Sequence, residues 1–310
     1  MRTMIPVPGT AAIRVVQRRA AWLLIALLSA VATPAAAQRL LHSQRSLYRE
    51  VLVYQNANER CMCFTRDCRI GRQTCLDLRR PDRFVMNYPR MMMGALYVKP
   101  APRSVLIIGL GGGTLPRALA QAVPEARIDV VEIDPAVIKV ASQYFLFTPS
   151  KATQVIEADG RVFVKRALRQ PQRYDLIMLD AFDHEYIPEH LLTEEFLREV
   201  RGLLAPGGVL AANTFSNSRL YDHESVTYSA VFGTYFNLRR ENRVIIAVQG
   251  ELPDSAQLAA NSALLADVFR PLGISAATLL PLFSTKPDWD ATARRLTDQY
   301  SPANLLNRRE

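Results

Sequence analysis

The segment VLIIGLGGGTLPRAL, residues Val105–Leu119, decides the fold of this chain. An apolar run is followed at once by closely spaced glycines and then by residues typical of a helix. A buried strand that turns through glycines into a helix is the first unit of a parallel α/β sheet. Because glycine has no side chain, the backbone of such a turn can lie very close to another group. We therefore expect a ligand to lie against this turn.

The middle of the chain repeats this alternation of strand and helix. The further apolar strand segments are IDVVEID, TQVIEAD, YDLIMLD and GVLAANTF, and the helical segments between them are TLPRALAQAV, PAVIKVASQYF, RVFVKRALRQ and TEEFLREVRGLL. Continuous apolar strands separated by helices predict a parallel sheet that is covered on both faces. The predicted fold class is therefore α/β, with a doubly wound Rossmann-like sheet. A late strand, ENRVIIAVQ, and a terminal helix, DSAQLAANSALLADVF, are expected after it.

The pattern divides the chain into four regions. Residues 1–37 form a leader, residues 38–100 a small β-rich domain with all four cysteines, residues 101–250 the nucleoside-binding Rossmann-like domain, and residues 251–310 a C-terminal helical extension. A hydrophobic content of 49% over 310 residues is enough for a buried core, which excludes a disordered chain.

The leader has the composition of a secretory signal peptide. Arg14, Arg18 and Arg19 precede the apolar run AAWLLIALLSAVA, and Ala35 and Ala37 fit a small-x-small cleavage site. If it is not cleaved, the same segment would serve as an N-terminal membrane anchor. In both cases the folded part is expected to be exported, to the periplasm of a bacterium, and only the leader would contact a membrane.

The charge of the chain does not favour a nucleic acid as partner. The formal net charge of +9 falls to +5 once the four arginines of residues 1–37, which contain no acidic residue, are removed. The remaining arginines are scattered rather than clustered, whereas a nucleic-acid site needs a basic patch. A small anionic ligand remains compatible with this surface.

The four cysteines lie within one short window, at Cys61, Cys63, Cys68 and Cys75. An even number of cysteines in an exported chain predicts disulfides, and three pairings are open. A zinc site is the alternative, but the window has no Cys-x-x-Cys pair and no histidine nearby. We therefore expect disulfides and no metal.

The glycine turn narrows the class of ligand. Gly109, Gly111 and Gly113 have the spacing G-x-G-x-G, and Thr114 stands where a dinucleotide fingerprint has its last glycine. No lysine follows in the Walker arrangement, which excludes a triphosphate-binding loop of that type. A nucleoside that lies on the turn is the remaining expectation.

Acidic residues follow the next strands. Glu132 can accept hydrogen bonds from both ribose hydroxyls, and a solvated turn residue is the alternative. Asp159, followed by Gly160, can accept from the exocyclic amine of a purine, and a helix N-cap is the alternative. Asp180 and Asp183 are suited to holding a cationic amine and removing its proton, and capping of a loop is the alternative. The carboxyl ends of parallel strands share one edge, so one cleft is predicted.

The segments GGGTLPRAL, VVEIDPAVIKVASQYF, EADGR and YDLIMLDAFD resemble the spermidine synthase family, the polyamine aminopropyltransferases. The resemblance covers roughly residues 45–250. It implies a sheet of the S-adenosylmethionine-dependent methyltransferase type and a small N-terminal β domain. It also implies aminopropyl transfer from decarboxylated S-adenosylmethionine to a polyamine or another amine, a small-molecule acceptor, and a homodimer.

The same resemblance implies roles for single residues. Glu132 would bind the ribose, Asp159 the adenine, and Asp180 would act as the catalytic base. Asp183 would hold the acceptor amine, and the family pattern also implies substrate contacts from the first domain, by Gln73 and Tyr88.

The chain departs from the family pattern at three positions. Gly111 stands where the family's glycine turn usually has an aspartate, Arg90 where it has a glutamate, and His184 where it has a proline. Two alternatives stay open at this point. One is an exported, non-catalytic protein that binds a nucleoside or another small ligand, and the other is a small-molecule methyltransferase that uses S-adenosylmethionine.

Overall fold

The structure is a computed structural model, and it describes residues 1, 3, 38–69, 71–181, 188–214 and 218–306. Apart from residues 1 and 3, the predicted leader lies outside the described residues, as do Asp183 and His184. The chain divides into two units, Met1–Gln38 and Arg39–Glu310, and the following description concerns the second unit.

The centre of this unit is a seven-stranded sheet. The strands are β5 (Ser104–Ile108), β6 (Arg127–Glu132), β7 (Thr153–Glu157), β8 (Tyr174–Leu179), β9 (Leu204–Thr214), β10 (Phe236–Arg239) and β11 (Arg243–Val248). Their order in the sheet is β10-β11-β9-β8-β5-β6-β7. Strands β5 to β9 are mutually parallel, whereas β11 runs antiparallel to β9 and β10 antiparallel to β11. The predicted parallel sheet and the late strand are confirmed.

Strand β5 shows why the sheet needs cover on both faces. Its apolar side chains alternate, so that Val105 and Ile107 belong to one hydrophobic cluster and Leu106 and Ile108 to another. All four are at most 2% exposed. A strand that is buried on both faces must carry an unbroken apolar run, which is the pattern of the opening segment.

Helices cover both faces. The described helices are α1 (Tyr88–Met93), α2 (Ala95–Val98), α3 (Thr114–Ala122), α4 (Pro135–Tyr144), α5 (Gly160–Ala167), α6 (Glu194–Leu203), α7 (Leu220–Phe232), α8 (Ser255–Leu264), α9 (Ala266–Leu272), α10 (Ala276–Leu279) and α11 (Ala303–Leu306). The cluster that contains Val105 and Ile107 includes residues of helices α1, α2, α3, α8 and α9. The cluster that contains Leu106 and Ile108 includes residues of helices α5, α6 and α7. The sheet is therefore doubly wound, as predicted.

The predicted terminal helix differs from the structure. Instead of one helix over residues 254–269, two helices follow each other, α8 and α9, with Leu265 between them at a ψ of 0°. Helix α9 ends at Gly273, whose φ of 76° is left-handed and favours glycine. No helix among the described residues combines the length and the apolar character that crossing a membrane requires.

A small antiparallel sheet precedes the large one, which confirms the predicted β-rich N-terminal region. Its strands are β1 (Arg39–Arg45), β2 (Glu50–Gln55), β3 (Glu59–Cys63) and β4 (Arg72–Asp77), in that order. Its apolar face packs on α4 and Phe145, with Val51, Val53 and Met62 against Val137 and Val140.

The cysteines stabilise this sheet as two disulfides, Cys61–Cys75 and Cys63–Cys68. Cys61 and Cys75 are direct partners in the register of β3 and β4, so the first bond joins neighbouring strands. The predicted disulfides are thus present, and the structure selects one of the three open pairings.

Two hydrogen bonds join the small sheet to the carboxyl edge of the large one. The Thr74 and Thr114 hydroxyls lie 3.0 Å apart, at the start of α3. The Ser46 hydroxyl donates to Asp134 Oδ2 at 2.6 Å, while Asp134 Oδ1 accepts from the backbone N–H of Ala136 and caps α4. The N-terminal sheet is therefore held beside the predicted cleft.

Candidate active site

The carboxyl ends of the parallel strands place the predicted site residues along one edge. Gly109 follows β5, Asp159 lies just beyond β7, and Asp180 follows β8, while Glu132 is the last residue of β6. In register, Ile108 is paired with Val131 and also with Leu179, so these ends are level with one another. This level arrangement of the strand ends is consistent with the predicted single cleft.

Of the glycines in the turn that have a positive φ, two are required by the protein itself. At Gly109, with a φ of 100°, an added Cβ would overlap the backbone carbonyl of Asp180. At Gly113, with a φ of 71°, it would overlap the ring of Phe147. Gly160 similarly faces the Ile108 side chain. For these positions the close neighbour is protein, so a ligand is not needed to explain the glycine.

Gly111 is different. Its φ is 53°, and no atom of the described residues lies within 4 Å of the position that a Cβ would take. Among the glycines of this turn that have a positive φ, Gly111 is therefore the one with open space beside it. A ligand that approaches the turn would find room at this residue.

Glu132 is held by the turn that it faces. Its Oε2 accepts from the backbone N–H of Leu110 at 2.9 Å, and its Oε1 accepts from the backbone N–H of Asp134 at 3.0 Å. Burial raises the pKa of Glu132, and these two hydrogen bonds and the positive charge of Arg49 oppose the rise. Each carboxylate oxygen has a further lone pair, so this fixed carboxylate can still accept from hydroxyl groups.

Asp180 lies between side chains from two other elements. Its Oδ1 accepts from the Asn213 side-chain amide at 3.0 Å, and its carboxylate also accepts from the Tyr88 hydroxyl. Burial raises the pKa of Asp180 to about 7, against the effect of these two donors and with a further rise from the charge of Glu132. Burial and the same carboxylate raise the pKa of Tyr88. A carboxyl group that titrates near neutral pH can take up and release a proton there.

Tyr88 reaches this carboxylate because it begins α1, which lies between the two sheets in sequence. Two residues that were predicted separately, Tyr88 and Asp180, are therefore brought together. Gln73 lies on β4, and its side-chain amide donates to the carbonyl of Gly71 at 3.4 Å, a local bond. Its predicted contact with a substrate stays a prediction.

Asp159 caps helix α5, which was the alternative stated for it. Its Oδ1 accepts from the backbone N–H of Val162 at 2.9 Å, and its Oδ2 lies 2.9 Å from His190 Nε2. The hydrogen bond from His190 is the chief cause that lowers the pKa of Asp159. Capping does not exhaust the acceptor capacity of a carboxylate, so the adenine role stays a prediction.

Arg90, which replaces a family glutamate, is bound locally. Its Nη1 donates to the Asn87 side-chain oxygen at 2.5 Å, and its Nη2 donates to the Phe84 carbonyl. Burial lowers the pKa of Arg90, and the charges of Arg83 and Arg240 act in the same direction. Its guanidinium is thus directed at the residues just before α1.

Asn213 and His190 are the two contacts that the sequence analysis missed. Asn213 could have been found, because it lies near the end of the fifth predicted strand. Leu179 is paired with Ala212, so the next residues, Asp180 and Asn213, are also level. His190 had no such signal, since it lies in the short 3₁₀ turn Glu189–Leu191, outside every strand.

The comparisons with known proteins agree with this geometry. The family described as "Spermine/spermidine synthase domain" matches residues 86–244. A polyamine aminopropyltransferase from Vibrio vulnificus is 45% identical over 292 residues, which are 92% of this chain and 97% of that protein.

Two solved structures share the fold. A probable spermidine synthase from Corynebacterium glutamicum is 17% identical with a TM-score of 0.62, over 84% of this chain and 99% of that one. A spermidine synthase in complex with the transition state analogue AdoDATO is 19% identical with a TM-score of 0.55, over 76% of this chain and 88% of that one. In this chain Tyr88 and Asn213 both contact Asp180. By the family match and the 45% identical relative, the chain is a member of the spermine/spermidine synthase family.

Proposed function

We propose that this protein is a polyamine aminopropyltransferase, which moves the aminopropyl group of decarboxylated S-adenosylmethionine to an amine acceptor. Its family membership and its 45% identity to a polyamine aminopropyltransferase support this activity. The structural observation that carries the proposal is the Asp180 carboxylate, held between Tyr88 and Asn213 at the edge where Glu132 also ends its strand.

The chemistry explains why such a carboxylate is needed. An aliphatic amine is protonated at neutral pH, and a protonated amine has no free electron pair. Asp180 takes this proton, and the amine nitrogen then forms a bond to the aminopropyl carbon that is attached to the sulfonium sulfur. The carbon–sulfur bond breaks, its electron pair goes to sulfur, and neutral methylthioadenosine leaves. Because its pKa is about 7, Asp180 is ionised in a large fraction of molecules at neutral pH.

The other residues orient the reactants in this proposal. Tyr88 and Asn213 fix the carboxylate of Asp180, and Glu132 and Asp159 bind the ribose and the adenine of the donor. Asp183 holds a second amine of the acceptor. Positioning of this kind lowers the barrier because it removes the need to bring two reactants together in the reactive orientation.

A direct assay tests the activity. The purified full chain is mixed with decarboxylated S-adenosylmethionine and, in turn, putrescine, cadaverine and spermidine, and methylthioadenosine is measured. We expect product with at least one amine and a loss of at least about 100-fold in kcat for Asp180→Asn. Asp175→Asn is the matched control, because Asp175 lies on the same strand and accepts from the backbone N–H groups of Arg103 and Ser104 at its other end. Nucleoside binding without product in the wild type would instead support a non-catalytic binding protein.

Methyl transfer is the second candidate, and the open space beside Gly111 favours it. Without a side chain at this position, a donor that keeps its carboxyl group has room next to the turn. The same assay with S-adenosylmethionine separates the two reactions, because methyl transfer releases S-adenosylhomocysteine and aminopropyl transfer releases methylthioadenosine. We expect methylthioadenosine.

Export of the protein also follows as a proposal, from the sequence of residues 1–37 and the two disulfides. Fractionation of cells that express the native gene, followed by N-terminal sequencing, tests it. We expect a periplasmic protein that begins at Gln38. A cytoplasmic protein that begins at Met1 would contradict export while leaving the proposed activity intact.

A further inference from the structure

His190 touches the carboxylate that is proposed to bind the adenine. Its Nε2 lies 2.9 Å from Asp159 Oδ2, across 31 residues of sequence. The other oxygen, Oδ1, accepts from the backbone N–H of Val162. The backbone N–H of Arg161 also donates to this carboxylate. Three donors thus set the plane of the carboxylate, and its oxygens keep acceptor capacity for a ligand.

The turn that carries His190 is held from several directions. Arg161 Nη1 donates to the backbone carbonyl of His190 at 3.3 Å. The Ser301 hydroxyl donates to the carbonyl of Glu189 at 3.0 Å, and the Asn304 side-chain amide donates to Glu189 Oε1 at 3.0 Å. A residue on such a turn has a defined backbone position although its own side chain is exposed.

Arg161 adds to this support because it is itself fixed. Its guanidinium is 9% exposed and donates to both oxygens of Glu199, at 2.9 and 3.0 Å, and to both oxygens of Asp298, at 2.6 and 2.8 Å. Arg161 directly follows Gly160 and begins the helix that Asp159 caps. Through Arg161, the start of α5, helix α6 and the C-terminal segment therefore support the backbone of His190.

We propose that His190 is a positioning and specificity residue for the nucleoside, which holds the Asp159 carboxylate directed at the 6-position of the purine. This inference rests on the proposed function, because it takes an adenine nucleoside as the ligand. An ionised carboxylate only accepts hydrogen bonds, so it binds the 6-amino group of adenine. It repels the 6-oxo group of hypoxanthine, which is an acceptor as well. His190 thereby contributes to selection of adenine.

Asp159 is ionised at neutral pH with or without His190, because the ordinary pKa of an aspartate is 3.8 and the pKa of Asp159 is lower still. His190 therefore acts on the direction of the carboxylate and not on its charge. A purely structural role for His190 would predict an effect of its removal on stability. It would not predict a change in the choice between two purines.

The test measures binding of 5′-methylthioadenosine and 5′-methylthioinosine to the full chain by calorimetry. We expect His190→Ala to weaken methylthioadenosine binding by about 5- to 20-fold, because Asp159 loses the side chain that orients it. Methylthioinosine binding should change by less than about 2-fold, so the preference for adenine narrows. His190→Gln should recover part of the preference, because its amide can still donate to Asp159.

His223→Gln is the matched control, since His223 lies on α7 and its ring bonds to the carbonyl of Arg294. It should bind both nucleosides as the wild type does. If His190→Ala weakens the binding of both nucleosides equally, or of neither, the proposed role of His190 is wrong. The proposed function of the protein would not be affected by that result. If the wild type binds neither nucleoside, the proposed function itself fails, and the inference fails with it.

Discussion

The side-chain amide of Asn213, at the end of β9, donates a hydrogen bond to the Asp180 carboxylate at the end of β8. The two residues lie on neighbouring parallel strands, and their amide and carboxylate therefore meet at the edge of the sheet. Asn213 favours the ionised carboxylate, whereas burial favours the protonated one. The balance leaves the pKa of Asp180 at about 7, where a general base is most useful at neutral pH.

The pH dependence of kcat should show this group. Since Asp180 must be ionised to accept a proton, we expect kcat to fall about tenfold per pH unit below an apparent pKa near 7. Asn213→Ala removes a donor to the carboxylate and should move this limb to higher pH. The measurement is kcat at saturating substrates from about pH 5.5 to about pH 9. A flat profile over the acidic half of this range would contradict the role of Asp180.

The same burial predicts an effect on stability. Between the unfolded pKa of 3.8 and the folded pKa of about 7, the folded state binds more protons at Asp180 than the unfolded state does. The stability that this group contributes is therefore present at low pH and is lost as the pH rises through about 7. At about pH 8, Asp180→Asn should be more stable than the wild type, by at most about 4 kcal/mol.

This gain should disappear near pH 4, where the wild-type side chain is also neutral in the folded protein. Urea denaturation at both pH values measures the difference. If Asp180→Asn is less stable than the wild type at the higher pH, the buried carboxylate of Asp180 does not destabilise the folded protein.

The glycine turn allows a matched pair of substitutions. Gly109→Ala should destabilise the protein by several kcal/mol, because its Cβ would overlap the Asp180 carbonyl and its φ of 100° is strained for alanine. Gly111→Ala should cost only about 1 kcal/mol, because its φ of 53° lies in the left-handed helical region and the described residues leave space there. Denaturation midpoints check both. Similar losses for the two variants would contradict this reading of the turn.

Removal of the buried Arg243 side chain should have a large effect on stability. Its guanidinium is fully buried and donates to Asn237 Oδ1 at 2.7 Å, to the Ser225 hydroxyl at 2.8 Å and to the Tyr235 hydroxyl at 3.2 Å. Arg243→Ala should lower the free energy of unfolding by about 3 to 5 kcal/mol, because buried acceptors lose their donor and a cavity forms.

The control is the exposed Arg270, which pairs with the exposed Asp267. Arg270→Ala should lower the free energy of unfolding by less than about 1 kcal/mol. Equal effects would argue against a structural role for the buried cation.

The disulfides can be checked by alkylation and mass spectrometry of the native protein. Without reductant we expect no alkylated cysteine, and with reductant we expect four. The Cys61–Cys75 bond closes a loop with a sequence separation of 14, so its loss should cost about 3 kcal/mol and lower Tm. Peptide mapping that finds Cys61 bonded to Cys63 or Cys68 would contradict the pairing.

The sequence by itself determined the elements of this protein and the edge at which its site lies. Apolar runs and helical segments predicted strands β5 to β9, because a strand buried on both faces must be apolar throughout. Glu132, Asp159 and Asp180 follow or end such strands, and parallel strands leave their carboxyl ends on one side. These inferences need only local periodicity and the direction of the chain.

The tertiary structure alone decided which side chains meet. Tyr88 and Asn213 reach Asp180, and His190 reaches Asp159, from segments that are distant in sequence. Likewise, the register of β3 against β4 selected Cys75 as the partner of Cys61. Such contacts depend on strand order, register and the path of each connection. Strand order, register and connection paths are set by the packing of the whole core. Many weak contacts determine them together, so no local sequence pattern predicts them.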